Sequence, residues 1–197
     1  MKIQLEIATA DHWIFAEELC RQYELSARIR GTGIARRQPE YIRSKMQKGH
    51  AIIATANGIL AGFCYIETWG HGDYVANSGL LVIEAFRGQG LARSIKKMAF
   101  TLARTVFPDA KVFGITTSSA VMKINSELGY RPVSFAELTP DKAFWKGCQS
   151  CPNYDILQRN QQQLCLCTGM LAPSLNEQQT NPISQSTIKI WTDHEKA

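Results

Sequence analysis

Two segments of the chain carry the same arrangement of arginine, glycine and small residues. Arg30–Arg37 reads RGTGIARR, and Arg87–Ser94 reads RGQGLARS. A glycine-rich turn that opens a helix leaves backbone N–H groups unpaired beside the positive end of the helix dipole, so it attracts anions such as phosphate. Flanking sequence separates the two segments. RGQGLARS follows the apolar run SGLLVI and leads into a stretch with helical spacing, giving strand, loop and helix in order. Gly88 and Gly90 permit backbone geometries and close approaches that a side chain would obstruct. Arg87 and Arg93, with Lys96 and Lys97, add positive charge near a bound anion, although Lys96 and Lys97 read more simply as a solvated face. RGTGIARR instead follows a helical stretch and runs toward Pro39, so its glycines terminate a helix and turn the chain. One anion cradle results, and it is the second.

A different chemistry is offered near the C-terminal end. CQSCPNYDILQRNQQQLCLC places Cys148, Cys151, Cys165 and Cys167 as C-x2-C-x13-C-x-C. Two close thiolate pairs can complete a tetrahedral structural zinc site. The same four residues also read as packed reduced thiols or as sites of redox or disulfide chemistry. Cysteines flanking one residue on a strand would share a face, which permits metal binding without demanding it. Cys20 and Cys64 fall within regular elements and read as core, and the four histidines lack metal-ligand spacing.

These groups need a scaffold, and the chain's patterning supplies one. IQLEIAT alternates as a strand. From Asp11, an N-cap residue, Ile14, Phe15, Leu19, Tyr23 and Leu25 follow a helical spacing, and PEYIRSKMQKG starts a second helix at Pro39 and ends it at Gly49. AIIATANGILAGFCYIETW is a hairpin around Asn57-Gly58, and YVANSGLLVI is a further strand. From Leu91 a long amphipathic helix sets Leu91, Ile95, Met98, Ala99, Leu102 and Val106 on one face, with Arg93, Lys96, Lys97 and Arg104 largely away from it. KVFGITT reads as a strand, SAVMKINSELG as a helix, YRPVSFAEL as a strand and CLCTGMLA as a last strand. Residues 1–173 form one domain that includes the cysteine-rich segment 148–167, and residues 174–197 form a polar tail expected to be mobile.

Composition narrows the class. A hydrophobic share of 45% suits a globular core, and an excess of 22 basic over 17 acidic residues is too small to indicate nucleic-acid binding. No apolar run approaches the roughly 18 residues of a membrane helix, and Glu6 interrupts the start where a signal peptide needs an apolar run. The expectation is a cytoplasmic protein with no membrane or nucleic-acid partner, a monomer or homodimer, its cysteines reduced.

With the cradle placed, LLVIEAFRGQGLA resembles motif A of the GCN5-related N-acetyltransferases, whose pattern is Arg/Gln-x-x-Gly-x-Gly/Ala. Arg87, Gly90 and Ala92 occupy its fixed positions, and INSELGY resembles the family's later helix with its Leu-Gly-aromatic ending. The resemblance spans residues 3–138. It implies an α/β (α+β) fold with a mixed, mostly antiparallel sheet splayed between its fourth and fifth strands and flanked by helices. It also implies an acyltransferase using acetyl-CoA, or succinyl-CoA, as co-substrate. The backbone of Arg87, Gly88, Gln89, Gly90, Leu91 and Ala92 would bind the donor's pyrophosphate. Leu81, Val82 and Ile83 would meet the pantetheine arm, with an amide there facing the thioester oxygen.

The resemblance fails at one informative position. Family members often carry a tyrosine in LYEKLGF that protonates the departing thiolate; here Asn125 stands in its place, and Ser118 replaces an asparagine common seven residues earlier. Asn125 can donate a hydrogen bond but supplies no acidic proton, and Tyr130 is the neighbouring alternative. Glu67, in YIETWGH, is the candidate base ahead of His71. In this fold the first two helices line the acceptor side, so Arg28, Arg30, Arg36 and Arg37 become candidates for holding a carboxylate, against the reading of a solvated basic loop. RGTGIA, VMKINSELGY and the cysteine-rich segment further resemble a bacterial subgroup associated with arginine biosynthesis, implying glutamate or a related amino acid as acceptor. The alternatives are an enzyme acting on a protein N-terminus or another amine, and a CoA-binding regulatory module without turnover.

Overall fold

The computed structural model describes residues 2–30 and 37–180. Strand β1 (Ile3–Ile7) leads through a 3-10 turn at Ala10–Phe15 into α1 (Ala16–Arg30), and α2 (Pro39–Gln47) follows. Pro39 begins α2 because its fixed φ and missing N–H suit a first helical position, and Gly49, at φ +67°, turns the chain beyond the last turn. β2 (Ala51–Ala56) and β3 (Ile59–Trp69) form the predicted hairpin around Asn57-Gly58. Both strands are buried on both faces over most of their length, which explains their nearly continuous apolar composition.

β4 (Tyr74–Val82) pairs antiparallel with β3, and the register slips between Phe63 and Tyr65. Gly79 lies opposite that slip at φ +67°. A Cβ there would stand 2.4 Å from Cε1 of Tyr65 and 2.8 Å from the Tyr23 hydroxyl, so only glycine fits. α3 (Leu91–Val106) then returns the chain to β5 (Lys111–Thr116), parallel to β4. That pairing holds only from Tyr74↔Lys111 to Ala76↔Phe113. Beyond it, β4 continues against β3 alone, while β5 continues against β7 (Thr168–Ala172). The sheet therefore opens between its fourth and fifth strands, as the family resemblance implies. Its order is β1-β2-β3-β4-β5-β7-β6, with β6 at Arg131–Val133.

Two apolar layers cover the sheet. Ile52, Cys64, Ile95, Ala99 and Val112 pack under α3, whereas Leu19, Tyr23, Ile42, Met46 and Phe63 pack under α1 and α2. A third cluster joins Phe113, Phe135, Trp145 and Leu157 beside the opening. α5 (Lys142–Lys146) and α6 (Tyr154–Arg159) contribute to it, whereas α4 (Ser119–Glu127), which follows β5, packs Met122 against the layer under α3. Asp141 accepts from the Ala143 amide (2.8 Å) and from the Gly70 amide (3.0 Å), capping α5 and tying it to the end of β3.

Three expectations change. The strand read in YRPVSFAEL stops at Val133, because Ser134 and Glu137 cap a 3-10 turn: Ser134 Oγ accepts from the Ala136 amide, and Glu137 accepts from the Ser134 amide at 3.2 Å. The last strand begins only at Thr168, leaving Cys165 and Cys167 in the preceding loop. The polar segment after Pro173 begins with α7 (Leu175–Thr180), seated by Leu175 N–H on the Pro108 carbonyl (3.2 Å) and by a Lys111–Glu177 ion pair (3.0 Å). Residues 181–197 lie outside the described residues. Among the described residues, no helix is long and apolar enough to cross a membrane.

Candidate active site

The glycine turn read from sequence as an anion cradle lies between β4 and α3. Gly88 and Gly90 take φ +76° and +78°, and Gly90 caps the 16-residue helix α3. A Cβ at either would meet open space, so backbone conformation and not crowding demands glycine there. Among the described residues, no hydrogen bond occupies the N–H groups of Gly88, Gln89, Gly90, Leu91 and Ala92; the first engaged amides are Arg87 on Glu84 and Arg93 on Gly90. Five amides at the start of a helix are thus left without a partner among the described residues, as an anion site requires. The nearby cations are mostly committed elsewhere. Arg87 donates to the Val82 carbonyl (3.1 Å), and Arg93 forks onto Glu127 of α4 (2.7 and 3.0 Å). Lys97 is exposed, but Lys96 departs from the solvated-face reading: it is 2% exposed and turned into the protein.

A cavity of about 540 Å³ occupies the opening between β4 and β5. Ala76 to Leu80 form one wall and Gly114 to Thr117 the other, with Lys96 and Asn125 also on its surface. Leu80 lines it, whereas Leu81, Val82 and Ile83 do not; Leu81 is buried in the layer under α1 and α2, and the Ile83 amide donates to Ala61 (2.9 Å).

At the end of the cavity beneath α1 and α2, polar groups converge from three elements. Arg37 lays its guanidinium 4.5 Å above the Tyr23 ring and donates from Nε to the Tyr65 hydroxyl (2.8 Å). Tyr41 donates to Glu67 (2.6 Å), whose other oxygen pairs with Lys45, and the Lys45 ammonium lies 4.5 Å above the Tyr41 ring. Tyr23 donates to the Gly79 carbonyl at the slip in β4. Arg37, Tyr41 and Glu67 all line the cavity. Of the other arginines proposed from sequence, Arg28 is exposed on α1 and away from the cavity, the Arg30 side chain is not described, and Arg36 lies outside the described residues.

Toward α3 and α4 the lining is more deeply buried. Asn125 is 1% exposed; its Nδ2 donates to Met170 Sδ (3.5 Å), and its Oδ1 finds no partner among the described residues. Asn77 Oδ1 accepts from the Cys64 thiol (3.0 Å), and its Nδ2 is likewise unpartnered. Tyr130 packs 5.3 Å from the Phe100 ring, its buried hydroxyl unpartnered, and it does not line the cavity. Burial raises the Tyr130 phenol well above its ordinary value, pushes the Cys64 thiol up to about 11 and lowers the Lys96 ammonium below the usual lysine range.

The four clustered cysteines form part of the cavity wall beside α5 and α6. They are free thiols, and no group of three or more His, Cys, Asp or Glu among the described residues is arranged to hold a metal ion. The zinc expectation is therefore not supported. Cys165 and Cys167 sit on a loop and not on the strand that would have aligned them, and the loop backbone engages the sulfurs instead. Cys151 accepts from the Asn153 amide (3.4 Å), and Cys165 donates to the Asn153 carbonyl (3.9 Å). Burial pushes Cys148 up to about 11 and Cys167 up to about 12, which opposes the thiolate form a metal requires.

Sequence reading missed Tyr23, Tyr41, Tyr65 and Lys45, and it placed Lys96 on the solvated face. Tyr23 and Tyr41 had been assigned only to helical patterning. The signal that could have flagged Lys96 is its spacing three before Ala99 and seven before Ala103, both buried.

Known proteins share this fold. The N-acetylglutamate synthase of Neisseria gonorrhoeae, complexed with coenzyme A and N-acetyl-glutamate, superposes with a TM-score of 0.61 at 16% identity, covering 87% of this chain and 35% of that one. This chain thus spans about a third of that enzyme's length. Rv2747 from Mycobacterium tuberculosis, in complex with CoA and NLQ, gives 0.59 at 15% identity, covering 86% of this chain and 98% of that one. The ribosomal-protein-S18-alanine N-acetyltransferase of Escherichia coli gives 0.55 at 11% identity, with 87% and 94% covered. At these identities the likeness is one of fold, and no curated protein matches in sequence. The family model for acetyltransferases matches residues 15–118, just over half of the chain and including both α3 and the cradle. The chain belongs to the acetyltransferase (GNAT) family.

Proposed function

We propose that this protein is an acyl-CoA-dependent N-acetyltransferase acting on the amine of a small, carboxylate-bearing amino acid of the glutamate type. The observation that carries the reading is the position of Arg37. Its guanidinium is stacked on Tyr23 at one end of the cavity that opens between β4 and β5, so a fixed planar cation faces the space an acceptor would fill. The free amides of Gly88 to Ala92 suit the diphosphate of the donor, and the opening of the sheet suits its pantetheine arm. Complexes of the gonococcal synthase with N-acetyl-glutamate support the acceptor class.

The reaction follows from this placement. The donor lies in the sheet opening with its thioester near the slip at Gly79. The acceptor enters beneath α1 and α2, Arg37 pairing with a carboxylate. Glu67, held by Tyr41 and Lys45, takes the proton from the incoming ammonium directly or through a water. The neutral amine attacks the carbonyl carbon within the ternary complex. Such an enzyme would serve arginine biosynthesis in the cytoplasm.

Thiol release from acetyl-CoA, measured over a panel of amines, tests the reading. Glutamate or a close relative should be turned over faster than polyamines and N-terminal peptides, with acetyl-CoA preferred to succinyl-CoA. Preference for a peptide N-terminus would replace the acceptor assignment, and CoA binding without turnover on any amine would leave a regulatory module.

A further inference from the structure

Lys96 is a buried cation for which the donor cradle and the acceptor end have no use. It projects from α3, five positions after Leu91 and so about 7.5 Å along the helix axis from its start. Its side chain reaches the cavity surface where β4 and β5 have parted. It is 2% exposed, and no hydrogen bond or ion pair meets it among the described residues; its ammonium lies 5.7 Å from the centre of the Tyr130 ring. The titratable groups that face it are Cys64 of β3 and Tyr130, both held neutral by burial. Asn77, whose Nδ2 is unpartnered, and Asn125 complete this side of the cavity. Burying an ammonium without a counter-ion is costly, so its retention here calls for an anion that arrives during function.

Position decides which anion that is. The acceptor end is built by α1 and α2 on one face of the sheet, whereas Lys96 comes from α3 on the other. It therefore meets the donor, beyond the diphosphate and within the sheet opening. There the negative charge that develops is on sulfur. The residue standing where family members often keep an acidic tyrosine is Asn125, an amide without a transferable proton, and Tyr130 does not reach the cavity.

We propose that the Lys96 ammonium is the general acid that protonates coenzyme A as it leaves. The proposal rests on the acyl-CoA reading above. As the tetrahedral adduct collapses, the C–S bond breaks and its electron pair goes to sulfur. Sulfur takes a proton from Nζ, giving the free thiol and a neutral lysine, while the proton lost by the attacking nitrogen passes to the base at the acceptor end. Lys96 regains its proton from solvent once the thiol departs. Burial lowers the ammonium below the usual lysine range, which makes it a readier proton donor.

Calorimetric titration of the full chain with CoA and with desulfo-CoA between pH 6.5 and 9 tests this without turnover. The wild type should prefer CoA by roughly tenfold at pH 6.5, where the charged Lys96 donates to the bound sulfur, and the preference should fall toward pH 9 as the ammonium loses its proton. Lys96→Met should abolish the preference, leave desulfo-CoA affinity unchanged and lower kcat by about 10²–10³-fold; Lys96→Arg should keep the preference. Equal affinity of the wild type for both ligands at every pH overturns the proposal, and that comparison stands even if Lys96→Met fails to fold. A wild type that binds neither ligand overturns the acyl-CoA reading itself and this inference with it.

Discussion

Arg37 donates from Nε to the Tyr65 hydroxyl at 2.8 Å, with its guanidinium carbon over the Tyr23 ring, 4.5 Å from the ring centre. Three elements fix one cation: the segment before α2, strand β3 and helix α1. An arginine so held has lost its rotamer freedom before any ligand arrives, and a carboxylate then needs to order only itself.

Arg37→Ala should therefore raise the acceptor KM by about 10- to 100-fold while leaving the KM for acetyl-CoA within about twofold. Arg37→Lys should rescue little, because an ammonium neither forks onto a carboxylate nor stacks as a plane. Steady-state kinetics with each substrate varied separately decides it; an unchanged acceptor KM in Arg37→Ala would remove Arg37 from acceptor recognition.

Glu67 sits between Tyr41 and Lys45, both committed to its carboxylate. Glu67→Gln preserves size and the Tyr41 contact but removes the base, so kcat should fall by about 10²–10³-fold with both KM values nearly constant. The same variant leaves Lys45, 7% exposed, without its anion, and the melting temperature should drop as well. A variant that is destabilised yet retains kcat would make Glu67 a structural partner of Lys45 and nothing more.

Gly79 carries the slip in β4. Alanine there forces a side chain onto φ +67° and drives its Cβ to within 2.4 Å of the Tyr65 ring and 2.8 Å of the Tyr23 hydroxyl. Gly79→Ala should cost about 2–4 kcal/mol. The displaced groups are the ones that seat Arg37, so the acceptor KM should rise in parallel. Thermal unfolding should register a loss of roughly 5–15 °C; a melting temperature unchanged within error would show that the slip relaxes freely.

What the sequence made legible follows from how local each feature is. The Asn57-Gly58 hairpin, the amphipathic face of α3 and the glycine turn ahead of it are each written within a few consecutive residues, and the structure contains all three. The acceptor end is not local. Tyr23, Arg37, Tyr41 and Glu67 come from separate elements and converge only after α1 and α2 pack on the sheet, so periodicity assigns the tyrosines to a core and says nothing of the convergence. Lys96 was misread because charge on a helix ordinarily marks the solvent side. Here the buried face is wide enough to include both the Leu91–Ile95 row and the row through Ala99 and Ala103. The cysteine spacing suggested a metal because sequence shows intervals but not the loop that replaced the expected strand.

The thiols of that loop supply the last prediction. Cys148 is pushed up to about 11 and Cys167 up to about 12, chiefly by burial against the cavity wall. A raised thiol pKa keeps the sulfur protonated through neutral pH, and only the thiolate reacts with alkylating agents. At pH 8 these two cysteines should label with iodoacetamide at least about 100-fold more slowly than free cysteine, whose pKa is about 8.5. Their rates should climb through pH 9 and 10, where free cysteine levels off. Metal analysis of protein purified without chelator should find well below one zinc per chain, and a chelator should leave the melting temperature unmoved. Labelling that is fast at pH 7 would show activated thiolates, and a chelator-induced loss of stability would show that the four sulfurs close on a metal after all.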